Sequence, residues 1–488
     1  MSAAVDAPSG GLAPARSRER RTIPVLSPQD VVGSGWCIGC GSCVGSGVVP
    51  GAASTAIEMD GAGLLRPDAP RSWMRQRTAA FATTCPFSRA AADEDEIAAD
   101  LYPTAVHHHP ATGRFSASYV GHVDEDGFRA NGSSGGMVSW VLDELLRTGA
   151  VDGVAHVVPV ADPRSDGRFF RYRISRSVEQ VREGAKSRYY PVDLADVLRE
   201  VREVPGRYAV VGVPCFAKAV QLLRREDPLL RERIVHVLAL FCGHMKSARF
   251  VESFAWQLEV PVEDVQAVEF RRKDPSRPAS TYTAELRMYD GTARVRDWWN
   301  LVDGDWGAGF FQSPACDGCD DVVGETADIS FGDAWVEPYS SDGNGTNVVV
   351  VRSPEIAAMV ERGISDGRLH LSPVDGEFVR ETQAAGLRHR REGLAYRLAW
   401  HGRTWHRWRR TPRKRVRATA HLPLRRKAIY RMRYGISRWS HRVFSVARRT
   451  RRPELYVRWA AAVAATYHGF AYSRGRFGAL VDRVLPKP

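Results

Sequence analysis

At 488 residues, 44% hydrophobic and 26% charged, the chain is long enough for two or three domains with sizeable cores and has the make-up of an ordinary soluble globular protein. It holds no apolar run long enough to span a bilayer, its start lacks the order of a secretory signal, and eight cysteines are too few and too oddly placed for a disulfide scaffold, so a cytoplasmic protein is expected. The net charge of +13 belongs to one segment: residues 401–460 hold about twenty Arg and Lys against the single acid Glu454, so the charge describes a tail and not the body.

Residues 1–26, mostly Ala, Ser, Pro, Gly and Arg, are expected to form a disordered arm. Residues 27–105 follow as an iron–sulfur-binding segment centred on Trp36-Cys37-Ile38-Gly39-Cys40-Gly41-Ser42-Cys43. Three thiols at C-x2-C-x2-C spacing wrap a loop round one corner of a cubane cluster, and Gly39 and Gly41 let the backbone curl with its amides toward the sulfurs. A ferredoxin would continue with C-x3-C-P, but Gly47 stands there; the fourth ligand expected is Cys85, marked by the dipeptide Cys85-Pro86. The competing reading is a zinc knuckle, since C-x2-C is also half of many structural zinc sites. Further on, 94–101 predicts a short helix, and His107-His108-His109 before Pro110 reads as an exposed linker.

The stretch 106–390 predicts an α/β domain with a mostly parallel or mixed sheet. Asn131-Gly132-Ser133-Ser134-Gly135-Gly136 leads into a run with apolar residues at 137, 138, 141, 142, 145 and 146, the spacing of a helix that Gly149 ends. The Ser/Gly loop thus sits on a helix N-terminus, where free amides and the positive dipole end receive an anion, although such a loop also serves as a plain cap. After a strand over 151–160 comes Gly184-Ala185-Lys186-Ser187-Arg188-Tyr189-Tyr190-Pro191. It offers a cation, a hydroxyl and a stacking face suited to a flavin or its phosphates, or else forms a polar turn before a helix over 193–203.

Two apolar strands then end in cysteine: 208–213 runs into Pro214-Cys215, and 234–241 into Cys242-Gly243-His244. Continuous apolar strands alternating with helices indicate the parallel part of the sheet, and both cysteines lie at strand carboxyl ends, the edge at which α/β sheets hold ligands. Cys215 also stands beside a helix start, which favours the thiolate. Phe270-Arg271-Arg272-Lys273-Asp274 is a basic strand end, 281–296 a hairpin, and Cys316 with Cys319 a last C-x2-C. Ala327 to Trp335 is an apolar strand whose Asp333 either contacts a cofactor or lies in an exposed turn, and 344–378 returns to strand–helix–strand. The cysteines divide into two sets of four, Cys37, Cys40, Cys43 and Cys85, then Cys215, Cys242, Cys316 and Cys319, with none left over.

In this order, Cys37-x2-Cys40-x2-Cys43 with Cys85-Pro86, Ser133-Ser134-Gly135-Gly136, Lys186-Ser187-Arg188-Tyr189, Gly212-Val213-Pro214-Cys215, Phe241-Cys242-Gly243, Phe270-Arg271-Arg272-Lys273, Cys316-x2-Cys319 and Asp328-Ile329-Ser330-Phe331-Gly332-Asp333 resemble one family over about residues 30–390. It is the coenzyme F420 hydrogenase/dehydrogenase beta subunit family. The resemblance implies an iron–sulfur flavoprotein oxidoreductase that binds FAD and passes electrons between clusters and a hydride carrier, coenzyme F420 being one such carrier. It implies two [4Fe-4S] clusters, one on each cysteine set, and cofactor contacts from Ser133, Ser134, Gly135, Gly136, Lys186, Ser187, Tyr189, Pro214, Lys273 and Asp333. Val48-Val49-Pro50, where relatives often carry a further Cys-Pro, departs from the pattern and argues against a third cluster; Arg188 departs from it inside the Lys-Ser-x-Tyr motif. A redox partner protein, a ferredoxin or another subunit, is implied as well. Relatives found beside cell-surface polysaccharide genes leave the small-molecule substrate open.

The tail, 391–488, lies outside the resemblance. Ile429, Met432, Ile436, Trp439, Val443 and Val446 recur at steps of three and four and line one stripe of a helix set among basic residues from Arg425 to Arg448. Such a helix predicts a cap packed on the body, docking to an acidic redox partner, or adsorption of 400–470 to an anionic inner membrane face helped by Trp400, Trp405, Trp408 and Trp439. Nucleic acid is disfavoured because no reading motif accompanies the charge. The rival of another class is a zinc-stabilised scaffold whose basic tail binds a partner or a membrane.

Overall fold

The computed structural model describes residues 25–52, 55–125, 127–402 and 415–485. Nearly all of the arm expected over 1–26, together with Trp405 and Trp408, lies outside the described residues.

Eight strands make the central sheet: β1 (Ala117–Val123), β2 (Gly153–Pro159), β3 (Phe170–Ser175), β4 (Tyr208–Gly212), β5 (Ile234–Leu240), β6 (Ile329–Asp333), β7 (Asn347–Val351) and β8 (Leu369–Pro373). They lie in the order β8-β1-β7-β6-β5-β4-β2-β3. Neighbours among β6, β5, β4 and β2 run parallel and the outer pairs antiparallel, so the sheet is mixed. The central strands are mostly apolar because both faces are covered, with polar exceptions such as His156, His236 and Ser330. Val210, Val237 and Ala239 enter one core, and Ala209, Val211 and Leu238 the other.

Helices α1 (Met137–Arg147) and α4 (Pro354–Ser365) pack on one face, and α2 (Ala195–Glu203) and α3 (Pro214–Glu226) on the opposite one. Pro214 opens α3 directly after β4, at a position where a missing N–H costs nothing. The N-terminal segment before the sheet joins the core of α2 and α3 through Trp36, Ile38, Val44, Leu65 and Phe81. The helix expected over 94–101 forms as Glu94–Leu101 behind a capping box of Asp93 and Glu96. His107–His109 departs from a linker: it pairs antiparallel with Gly113–Phe115 in a local hairpin, with His107 against Phe115 at 5.2 Å.

The tail forms α5 (Leu424–Thr450), α6 (Pro453–Tyr472) and α7 (Gly475–Val484). Of the expected apolar stripe, Ile436 is buried and Ile429, Met432 and Val443 pack against the core, whereas Trp439 is 52% and Val446 50% exposed, so the buried face is rotated away from those two. The face that packs on the body runs also through Tyr430, Arg433, Tyr434, Ser437, Ser440, His441, Phe444 and Ala447. Its polar members are tolerated because the body answers them: Ser440 Oγ accepts from Phe311 N at 3.0 Å, and His441 Nε2 lies 3.2 Å from Gln312 O. Of the roles expected for the tail, packing on the body is therefore observed. Among the described residues no helix is long and apolar enough to cross a membrane.

Candidate functional site

A cavity of about 950 Å³ opens where β4, β5 and β6 end, a size suited to a cofactor with its substrate. Ser133, Ser134 and Gly136 line it at the start of α1, with Lys186, Ser187, Arg188 and Tyr189 beside them. The two loops clasp each other, because Ser133 Oγ accepts from Ser187 N at 2.7 Å. Gly136, at φ +89, caps α1 without a side-chain hydrogen bond, and Lys186 Nζ stands 2.9 Å from Glu269. The Tyr189 ring centroid lies 4.8 Å from that of Trp306 and 5.5 Å from that of Trp298, which makes an aromatic wall. Burial pulls the pKa of Arg188 down to about 10. Asp333 also lines the cavity, ion-paired with Arg271 at 3.0 Å.

Three residues expected to contact a cofactor do not reach this cavity. Gly135 packs backbone against backbone, since an added Cβ would come within 2.8 Å of Gly121 O and Asn347 Oδ1. Pro214 is committed to the first turn of α3. Lys273 points behind the Ser/Gly loop and donates to Ser134 O at 2.9 Å, to Asn344 O at 2.6 Å and to Arg129 O. Burial lowers its pKa to about 8.

The fold brings each cysteine set together. Cys37, Cys40, Cys43 and Cys85 line a small apolar cavity with Trp36, Phe81 and Phe87. Gly39 and Gly41 take φ of +75 and +76, and a Cβ on Gly39 would sit 2.4 Å from Leu65 O, so only glycine fits. The second set joins Cys215 at the start of α3, Cys242 after β5, and Cys316 and Cys319 in and after the turn Pro314–Gly318. Cys319, Cys242 and Cys316 are near enough to Cys215 to oppose its ionisation. Burial pushes Cys40 and Cys316 up to about 11 and Cys242 up to about 12. The helix start does not win at Cys215, whose thiol burial also drives well up. Burial of this kind favours the neutral thiol over the thiolate. The sites adjoin: Cys242 lines the large cavity, and Cys40 is near enough to Cys215 to affect its ionisation.

Sequence reasoning missed Arg390. In the turn Arg388–Glu392, its buried guanidinium donates to Gly243 O at 2.7 Å and Cys316 O at 3.0 Å and stands 3.7 Å from Cys242 Sγ. Burial works against its charge, and the second cysteine set more than offsets that and raises its pKa. The run His389-Arg390-Arg391 was visible, but nothing in its spacing ties it to cysteines so far upstream. Lys246 was also missed. It lines the cavity with Nζ donating to Phe310 O at 2.7 Å, and burial pulls its pKa down to about 7.

Two family models match the chain. One describes the N-terminal part of the coenzyme F420 hydrogenase/dehydrogenase beta subunit and matches residues 118–199; the other describes the C terminus of the same beta subunit and matches 206–377. Together they span just over half of the chain. A curated relative, an F(420)H(2) dehydrogenase subunit of Methanosarcina mazei, is 30% identical over 113 residues, which are 23% of this chain and only 30% of the relative. The solved structure of the F420-reducing [NiFe] hydrogenase complex from Methanosarcina barkeri contains a chain similar at a TM-score of 0.45 and 16% identity, over 58% of this chain and 92% of that one.

Proposed function

Because the chain belongs to the coenzyme F420 hydrogenase/dehydrogenase beta subunit family of oxidoreductase subunits, we propose that it is an iron–sulfur flavoprotein passing electrons between two [4Fe-4S] clusters, FAD and a hydride carrier. Coenzyme F420 is the first carrier to test. The observation that carries this reading is contiguity: the large cavity shares Cys242 with the second cysteine set, and that set neighbours the first through Cys215 and Cys40. A structural zinc site is closed on itself and has no use for a ligand cavity on its wall.

The donor chemistry fits each group. Ser133, Ser134 and the start of α1 suit a pyrophosphate, Lys186 and Ser187 add a cation and a hydroxyl, and Tyr189 with Trp306 offers a stacking face. Cys37, Cys40, Cys43 and Cys85 would hold one cluster, and Cys215, Cys242, Cys316 and Cys319 the other. When bound, FAD supplies hydride chemistry and the clusters one-electron storage. The chain's part is to orient these groups, keep water from the buried thiols and tune the second set through Arg390. Another redox subunit or a ferredoxin is the proposed partner.

Anaerobic purification followed by iron, sulfide and flavin analysis tests the reading. A brown protein with about eight iron and eight acid-labile sulfide per chain, and FAD, is expected. A colourless zinc protein without flavin overturns it.

A further inference from the structure

The C-terminal helices lie outside both matched spans, yet they wall the cavity with Tyr430 and Arg433 from α5 and Tyr467 and Tyr472 from α6. They are fastened to the loop that forms the adjoining wall: Tyr456 Oη lies 2.9 Å from Asp303 Oδ2, His468 Nε2 3.0 Å from Asp305 Oδ2, and Tyr467 Oη donates to Gly307 O at 2.8 Å. Arg433 is tied to the same wall. Its buried guanidinium donates to Gly307 O and to Gln312 Oε1 at 3.0 Å, and lies 3.2 Å from His244 Nδ1.

A guanidinium has only donors, so His244 Nδ1 must accept and the ring carries its proton on Nε2. Nε2 is buried and has no hydrogen-bond partner among the described residues. His244 lines the cavity two residues after Cys242, with its ring stacked on Trp306 at 4.1 Å. Trp298 Nε1, on the same cavity, is likewise buried and without an acceptor among the described residues. Donors without acceptors around an aromatic wall suit a flat ligand rich in carbonyl and imine acceptors, because a buried N–H left unpaired is costly.

We propose that His244 donates from Nε2 to the ring held in this cavity, and that Arg433 is the positioning residue by which the C-terminal helices fix its tautomer. The ring's identity rests on the flavoprotein reading: it is the isoalloxazine of FAD. A donor at an acceptor edge holds the reduced, more electron-rich ring better than the oxidised one and so raises the midpoint potential.

The test uses the full chain, purified anaerobically and loaded with FAD, as wild type, His244→Leu, His244→Gln, Arg433→Met and the Arg433→Met/His244→Leu double variant. FAD affinity by fluorescence titration, flavin midpoint potential and iron content are read. His244→Leu should bind FAD about tenfold more weakly and at a lower potential. Gln, which can still donate, should recover part of both. Arg433→Met should shift both in the same direction, and the double variant should match His244→Leu alone, with iron unchanged throughout. If Arg433→Met loses iron, Arg433→Lys makes the same comparison, because an ammonium cannot serve Gly307, Gln312 and His244 as one planar fork. Wild-type affinity and potential in His244→Leu overturn the donor role, and full additivity in the double variant overturns the positioning role. Those failures leave the flavoprotein reading standing. A wild type that takes up no FAD overturns that reading and this inference together.

Discussion

The two cysteine sets present the same four thiols in different ways. Three of the first set come from one short loop curled by Gly39 and Gly41, and Cys85 caps the nearby helix Ala79–Thr84. The second set does not exist until the sheet forms, because it joins the ends of β4 and β5 to the turn Pro314–Gly318. Their charge environments differ too. At the first set Arg66 donates to Cys37 O, Lys218 acts on Cys85 and the acid Asp193 on Cys40, whereas at the second a buried guanidinium, Arg390, donates to Gly243 O and Cys316 O and also stands 3.7 Å from Cys242 Sγ itself. A cluster on the second set should therefore be easier to reduce, since positive charge and donors favour the more negative state.

The largest break in this comparison is Cys215→Ser. It should lose about half of the iron, from roughly eight to four per chain, and keep the spectroscopic signal of the first set. Full iron retention would remove Cys215 from the ligands, and loss of all iron would show that the sets do not stand independently. Arg390→Met sharpens the difference. Truncating a buried cation leaves the second set's negative charge uncompensated, so that cluster should fall in potential or release iron to a chelator about tenfold faster, with the first unchanged. Potentiometric titration followed by electron paramagnetic resonance reads both clusters in one sample.

Gly39→Ala probes the first set alone. The φ of +75 costs a residue with a Cβ about 1–2 kcal/mol, before the contact at 2.4 Å with Leu65 O is counted. A lower melting temperature with selective loss of the first cluster is expected.

The contrast between the sets also explains what could be read from the chain beforehand. The first set was legible because three of its thiols are neighbours in sequence and the fourth is marked by Cys85-Pro86. The second was legible in pieces, Cys215 and Cys242 from the ends of apolar strands and Cys316 with Cys319 from their spacing, joined only by the division into fours, while the cation Arg390 carried no local signal. Gly135 and Lys273 show a different limit, for neither lines the cavity. Each lies beside the cavity, but spacing tells which residues are near and not which way they point: Gly135 packs on Gly121 and Asn347, and Lys273 ties Ser134 O to Asn344 O. In the tail, apolar periodicity found Ile429, Met432, Ile436 and Val443, which meet the core, but also Trp439 and Val446, which do not. The face that packs on the body includes Arg433, Ser440 and His441, whose partners on the loop 307–312 no helical pattern could reveal.

Lys246 ties stability to pH on the side of the second set, where the adjacent Met245 N donates to Cys316 Sγ at 3.3 Å. Burial lowers its pKa from 10.5 to about 7 in the folded chain. Between those values the unfolded chain binds more protons than the folded one, so this group makes stability rise with pH by at most about 1.4 kcal/mol per unit. Lys246→Met should flatten that rise between about pH 7 and 10.5, as read from melting temperatures across the window. An unchanged slope would mean that Lys246 keeps its charge in the fold.

The smallest effect is expected on the outer face of the tail. Its inner face is committed to the body beside the second set, where Arg438 lies 3.5 Å from Asp317 in the turn Pro314–Gly318. Exposed apolar side chains also lie on α6 and α7, at Leu455, Phe477, Leu480 and Val484; on the C-terminal half of α5 the patch open to a partner or an anionic surface is Trp439 and Val446, with the Arg442 guanidinium 5.0 Å from the Trp439 ring centroid and Arg449 exposed nearby. One aromatic side chain and a few arginines, each worth about 1 kcal/mol near an anionic lipid surface, support weak and salt-sensitive adsorption. Full-length protein should sediment in part with phosphatidylserine vesicles at low salt, and Trp439→Ala combined with Arg442→Ser should reduce that several-fold with iron unchanged in both sets. If the wild type ignores the vesicles, this face is solvated or reserved for a protein partner. If the substitutions release iron, the outer face is not separate from the second set after all, and the tail supports the cluster site from both sides.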